Sequence, residues 1–127
     1  MQQFCISVLL FLDTSASCAH LAARFWKAGR SLPANRFDVT MACFDTQVYP
    51  VDPNKKVLQG YGGTAFDILE AYAKRQKSYP AAAFVITDGY GNNIFPSIPA
   101  RWHWFLTSDY TSYIAKGCHI YSLAAYE

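Results

Sequence analysis

The sequence predicts a three-layer α/β fold on a mostly parallel sheet with one antiparallel edge strand. Two continuous apolar runs, over 4–12 and 81–87, lack polar alternation, which is the pattern of parallel strands buried on both faces. Between them, Ala65, Ile68, Leu69, Tyr72 and Ala73 recur at helical spacing. Strand and helix patterns that alternate along a chain build a sheet with helices on its faces.

The chain's 127 residues suit one domain, read here as 1–127. Hydrophobic content of 52% against 16% charge is apolar beside the about 25% charge of ordinary domains. Three Trp, nine Tyr and nine Phe are hard to hide in so short a chain, so some rings are expected to meet another chain. A net charge of +2 with no basic tract gives no electrostatic footprint for nucleic acid. The first apolar run is far shorter than the about 20 residues that span a bilayer. It also lacks a basic leader or a small-residue cleavage site, so neither a membrane span nor a targeting signal is expected. Cys5, Cys18, Cys43 and Cys118 form no CxxC pair and read as buried thiols, which favours a reducing, cytoplasmic setting.

Each element follows from local pattern. The first run stops at Asp13-Thr-Ser-Ala-Ser17, small polar residues suited to a turn and a helix start. A helix is expected over 17–28, with Leu21, Ala22, Phe25 and Trp26 inward and Gly29 as its stop. From 36 to 44 the chain alternates, with Phe37, Val39, Met41 and Cys43 on one face and Asp38 and Thr40 on the other. Asp45 turns it into a hairpin whose second strand, 47–51, is an edge, as Pro50 and Pro53 suit. Gly60-Tyr-Gly-Gly63 reads as a flexible loop, with Thr64 opening the next helix. Asp67 and Glu70 early in that helix and Lys74, Arg75 and Lys77 late complement its dipole, and Pro80 closes it. Residues 92–100, with Pro96 and Pro99, form a loop; 102–106 and 119–123 are strands, with a short helix near 109–115.

Three polar clusters share one address. Asp13, Ser15 and Ser17 follow the first strand, Thr64 precedes a helix, and Asp88 follows the later buried strand. In an open parallel sheet, the loops at the carboxyl ends of strands converge on one crevice. The two carboxylates meeting there, among three hydroxyls, would repel unless a positive charge lies between them or they share one proton. Hard oxygen donors with no His or Cys among them suit Mg²⁺, Mn²⁺ or Ca²⁺ rather than zinc.

Asp-x-Ser-x-Ser after an apolar strand, Gly-Gly-Thr before a helix and Thr-Asp-Gly after a later strand resemble the metal-ion-dependent adhesion site of von Willebrand factor A (VWA) domains. The resemblance covers nearly the whole chain, in the family's order, and implies a Rossmann-like, VWA-like fold. It implies that Ser15, Ser17 and Thr64 coordinate the metal directly, that Asp13 and Asp88 act mostly through bound waters, and that one position is left for a partner's acidic group. Gly60-Tyr-Gly-Gly-Thr64, Thr87-Asp-Gly-Tyr-Gly91 and Trp102-His-Trp-Phe-Leu-Thr107 are similar to the VWA-like domain at the C-terminal end of predicted bacterial metallopeptidases. No HExxH motif is present, so only the binding half is represented. VWA proteins of bacteria work with ring-forming AAA+ ATPases of the MoxR type, and the resemblance implies such a protein partner. The chain departs from the family in the 92–100 stretch, which replaces a crossover helix. One sheet face is therefore expected to be thinly covered, a second candidate partner surface.

The expected function is thus a cation-dependent protein-binding module and not an enzyme, since nothing nearby supplies a general base for hydrolysis. An alternative is a Mg²⁺-dependent phosphatase or phosphotransferase of haloacid-dehalogenase type, with Asp13 as nucleophile and Asp88 as a metal ligand. That chemistry wants a general acid two residues after the nucleophile, where this chain has Ser15. A third reading is a structural subunit whose site is a relic. His20, His103 and His119 are scattered and read as structural or surface residues, while Tyr90 and Trp102 either rim the site or pack in the core.

Overall fold

The computed structural model describes residues 5–52, 54, 55 and 57–123, apart from the side chains of Ser17 and Ala19. Pro53 and Phe4 lie outside the described residues. Six strands are present: β1 (Ile6–Asp13), β2 (Phe37–Phe44), β3 (Val48–Pro50), β4 (Ala82–Thr87), β5 (Trp102–Leu106) and β6 (His119–Ser122). They form one sheet in the order β3-β2-β1-β4-β5-β6, with β3 antiparallel to β2 and every other pairing parallel. This is the Rossmann-like α/β arrangement expected from the apolar runs, and Pro50 ends the edge strand β3.

Alternation along β1 divides the core in two. Leu9 and Phe11 face one side with Ala42, Phe44 and Val85, and Leu10 and Leu12 face the other with Met41, Cys43 and Ile86. Helix α1 (Ala22–Ser31) packs on the second side through Phe25, and α2 (Asp67–Lys74) on the first through Leu69 and Ala73. Sheet and helices therefore make three layers. The first side is closed further by Trp102 and Trp104, fully buried, and by Ile94 from the β4–β5 connection.

Several local expectations need correction. The helix expected over 17–28 is a 3-10 turn over Ala16–Leu21 followed by α1, and it runs through Gly29 to Ser31. Gly29 instead lies against the end of the Met41 side chain, whose methyl carbon would stand 2.6 Å from a Cβ there and would have to move aside. Helix α2 begins at Asp67, three residues beyond Thr64, and ends at Lys74, well before Pro80. Residues 109–115 form turns and no helix. Cys5 is exposed, just ahead of β1, while Cys18 and Cys43 are buried; all four cysteines are free. The Pro-rich 92–100 stretch covers its face through Ile94 and the buried Pro96, so the thin face lies on the opposite side of the sheet. Among the described residues, no helix is long and apolar enough to cross a membrane.

Candidate metal centre

The strand order reverses direction between β1 and β4, the position at which the carboxyl-end loops of an open α/β sheet part to leave a crevice. Asp13 is the last residue of β1, and Asp88 directly follows β4. One oxygen of each carboxylate and the Cys18 sulfur lie within 4.8 Å of one another. Asp13 and Cys18 are fully buried and Asp88 is half-buried.

Asp13 is held from two sides. The backbone N–H of Ser15 donates to its Oδ1 at 2.9 Å, and the Thr87 hydroxyl, also fully buried, donates to its Oδ2 at 2.6 Å. The Thr87 oxygen in turn accepts from the Gly89 N–H at 3.2 Å. Each Asp13 oxygen keeps lone-pair capacity beyond these bonds. Burial raises the Asp13 pKa above the usual carboxylate value, and the Asp88 charge adds to the rise; the bonds from Thr87 and Ser15 oppose it. Desolvation also pushes the Cys18 thiol up to about 12, helped by the charges of Asp13 and Asp88. The thiol is therefore protonated at neutral pH, a wall of the site rather than a ready thiolate.

The other loops are tied to this centre by hydrogen bonds. The Thr14 carbonyl accepts from the Tyr61 N–H at 2.7 Å, and the Thr14 hydroxyl donates to the Gln59 carbonyl at 2.6 Å. Gly60, at φ 134°, lies so close that a Cβ there would collide with the Thr14 hydroxyl. Asp45 does more than turn the hairpin: its Oδ1 accepts from Gln47 at 3.0 Å, its Oδ2 from Gly62 at 3.3 Å and its carbonyl from Ala65 at 2.8 Å. The loop that reads as flexible is thus pinned on both sides of Thr64, which is half-buried. On the far side, the Ser108 hydroxyl donates to the Asp88 carbonyl at 2.5 Å and the Asp88 Oδ1 accepts from the Tyr90 N–H at 3.1 Å.

Of the residues singled out from sequence, Asp13 and Asp88 come together, with Ser15 in the turn bonded to Asp13. Thr64 sits in a loop anchored to Asp45 and, through Tyr61, to the β1 turn. The Ser17 side chain lies outside the described residues. Sequence reasoning missed Cys18, whose only signal is its place five residues after Asp13 in the same turn, and Thr87, which was visible as the first residue of Thr-Asp-Gly but was given no role. Trp102 packs in the core, and Tyr90 is exposed and stacks on Tyr110 with ring centroids 4.5 Å apart.

The donor chemistry fits a divalent cation. Two carboxylates approach one another in this pocket, and burial, with the Asp88 charge adding to it, raises the pKa of Asp13. The oxygens of Asp13, Ser15 and Asp88 are hard donors suited to Mg²⁺, Mn²⁺ or Ca²⁺. No family model matches the chain, and no curated protein matches it.

Proposed function

We propose that this chain is a divalent-cation-dependent protein-binding module of the VWA type, which captures an acidic group of its partner through Mg²⁺ or, in its place, Mn²⁺ or Ca²⁺. The observation that carries this reading is the approach of Asp13 and Asp88 at the reversal point of the sheet, from strands far apart in sequence. In this reading Asp13, Ser15, Ser17, Thr64 and Asp88 hold the cation, the hydroxyls directly and the carboxylates mostly through water. Hydroxyl ligands are neutral, so the bound ion keeps charge with which to attract a carboxylate. The module is a binding protein rather than an enzyme, works in the cytoplasm, and its partner is of the MoxR-type AAA+ class.

Thermal unfolding in Mg²⁺ and in EDTA tests the reading. A ligand that binds only the folded state at about 100 times its Kd stabilises it by about 2.7 kcal/mol. Melting should rise in Mg²⁺, and the combined Ser15→Ala, Ser17→Ala variant should lose that rise, each protein being compared with its own melting point in EDTA. Equal melting of the unmodified chain in Mg²⁺ and EDTA would leave the site a relic.

A further inference from the structure

Cys18 alters the donor set that the sequence announces. The residue is third in the 3-10 turn Ala16–Leu21, where its N–H donates to the Ser15 carbonyl at 2.9 Å. Its side chain is fully buried and packs with Leu10, Leu12 and Leu21. The sulfur nevertheless faces the polar pocket, where the Ser15 side chain and the Asp88 backbone both hydrogen-bond to it. It lies within 4.8 Å of one oxygen of Asp13 and one of Asp88, as those two oxygens do of each other. Three metal-ligating atoms thus converge from the β1 turn and the residue after β4, and two of the three belong to fully buried side chains. Among the described residues, no other group of three His, Cys, Asp or Glu side chains gathers this closely.

We infer that this pocket is a site for a thiophilic divalent cation, Zn²⁺ above all, held by the Asp13 and Asp88 carboxylates and the Cys18 sulfur. Hard oxygens alone suit Mg²⁺, whereas a thiolate among them selects zinc. Zinc bonds sulfur at about 2.3 Å and carboxylate oxygen at about 2.0–2.2 Å, so its ligand atoms sit within about 4.5 Å of one another. The three atoms here are almost that close, and rotation of the half-buried Asp88 side chain brings them in. Binding takes the proton from the thiol, and it passes to solvent as the sulfur–zinc bond forms. Three protein ligands leave the fourth position of a tetrahedral ion to water. The inference rests on the preceding reading only in placing an ion between Asp13 and Asp88; it needs neither Ser17 nor Thr64.

The test uses the whole chain carrying Cys5→Ser, which removes the exposed thiol, and Cd²⁺ as a spectroscopic stand-in for Zn²⁺. One Cd²⁺ per chain should bind, with thiolate-to-metal charge-transfer absorption in the ultraviolet. Zn²⁺ should displace it, and equimolar Mg²⁺ should not. Cys18→Ser should abolish the absorption. Because a substitution at a buried position can disturb folding, Asp88→Asn serves as a second variant that keeps the thiol. Losing even an outer partner of a metal ligand costs about 10–100-fold in affinity, so Asp88→Asn should weaken Cd²⁺ binding by at least about tenfold. No absorption band, a band kept in Cys18→Ser, displacement by equimolar Mg²⁺, or unchanged affinity in Asp88→Asn overturns the inference. Melting in Mg²⁺ separates it from the hard-cation reading. A chain that answers to Cd²⁺ and Zn²⁺ alone keeps the thiolate site and loses the Mg²⁺ module, and one that answers to Mg²⁺ without the band does the reverse.

Discussion

Thr87 shows how one hydroxyl can hold a charged pocket together. Its O–H donates to Asp13 and its oxygen accepts from Gly89, all without solvent contact. Valine has the same shape and neither hydrogen-bonding capacity. Thr87→Val removes a bond to a carboxylate, an interaction that contributes about 1.5–3 kcal/mol, and leaves the Gly89 N–H unpaired. Urea unfolding should show destabilisation in that range. Titration of Asp13 followed by NMR should show its pKa, already raised by burial, raised further, because a bond that opposes the rise is gone. An unmoved Asp13 titration would mean that the hydroxyl does not support the carboxylate. At this scale the sequence was partly legible. Asp13 and Asp88 announce themselves as acids directly after apolar runs. Thr87 and Cys18 do not, because their roles depend on which atoms the folded strands set side by side.

The elements themselves were easier to read than their ends. Runs such as Val8–Leu12 leave little choice but a buried strand, and the alternation over Phe37–Phe44 sorts its residues to the two faces observed. The ends were misplaced because distant residues set them. Helix α2 has no side-chain cap of its own at Phe66. Its first N–H groups are satisfied from 25 and 26 residues away: the Asn92 Oδ1 accepts from Phe66 at 2.6 Å and from Asp67 at 3.0 Å, and the Asn92 Nδ2 donates to the Asp67 carboxylate at 3.0 Å. No local reading of Thr64 could reveal a cap supplied by the β4–β5 loop. Losing a capping side chain costs about 0.5–2 kcal/mol, so Asn92→Ala should destabilise by that amount in chemical denaturation. Amide exchange should accelerate first at Phe66 and Asp67. Exchange that quickens equally everywhere would show that the asparagine acts on the whole fold and not on this helix end.

The Asp13–Asp88 pocket sits where the two halves of the sheet meet, β3-β2-β1 on one side and β4-β5-β6 on the other, so its charge bears on the stability of the whole molecule. The Asp13 pKa is higher in the folded chain than the ordinary value of 3.8. Between those two values the folded state holds a proton that the unfolded state has released. Stability therefore falls as pH rises through that window, and stays lowered above it. Asn in place of Asp13 has no such term: its Oδ1 can accept from Ser15 and its Nδ2 can donate to the Thr87 oxygen. Asp13→Asn should thus be more stable than the unmodified chain at neutral pH in EDTA, with the gap closing as pH falls toward 3.8. In saturating Mg²⁺ the order should narrow or invert, because only the unmodified chain gains from the ion. Melting curves across pH, with and without Mg²⁺, read both effects at once. Should Asp13→Asn melt lower in EDTA at neutral pH, burial of the carboxylate would not be the cost argued here, and the case for an ion that relieves it would fail with it.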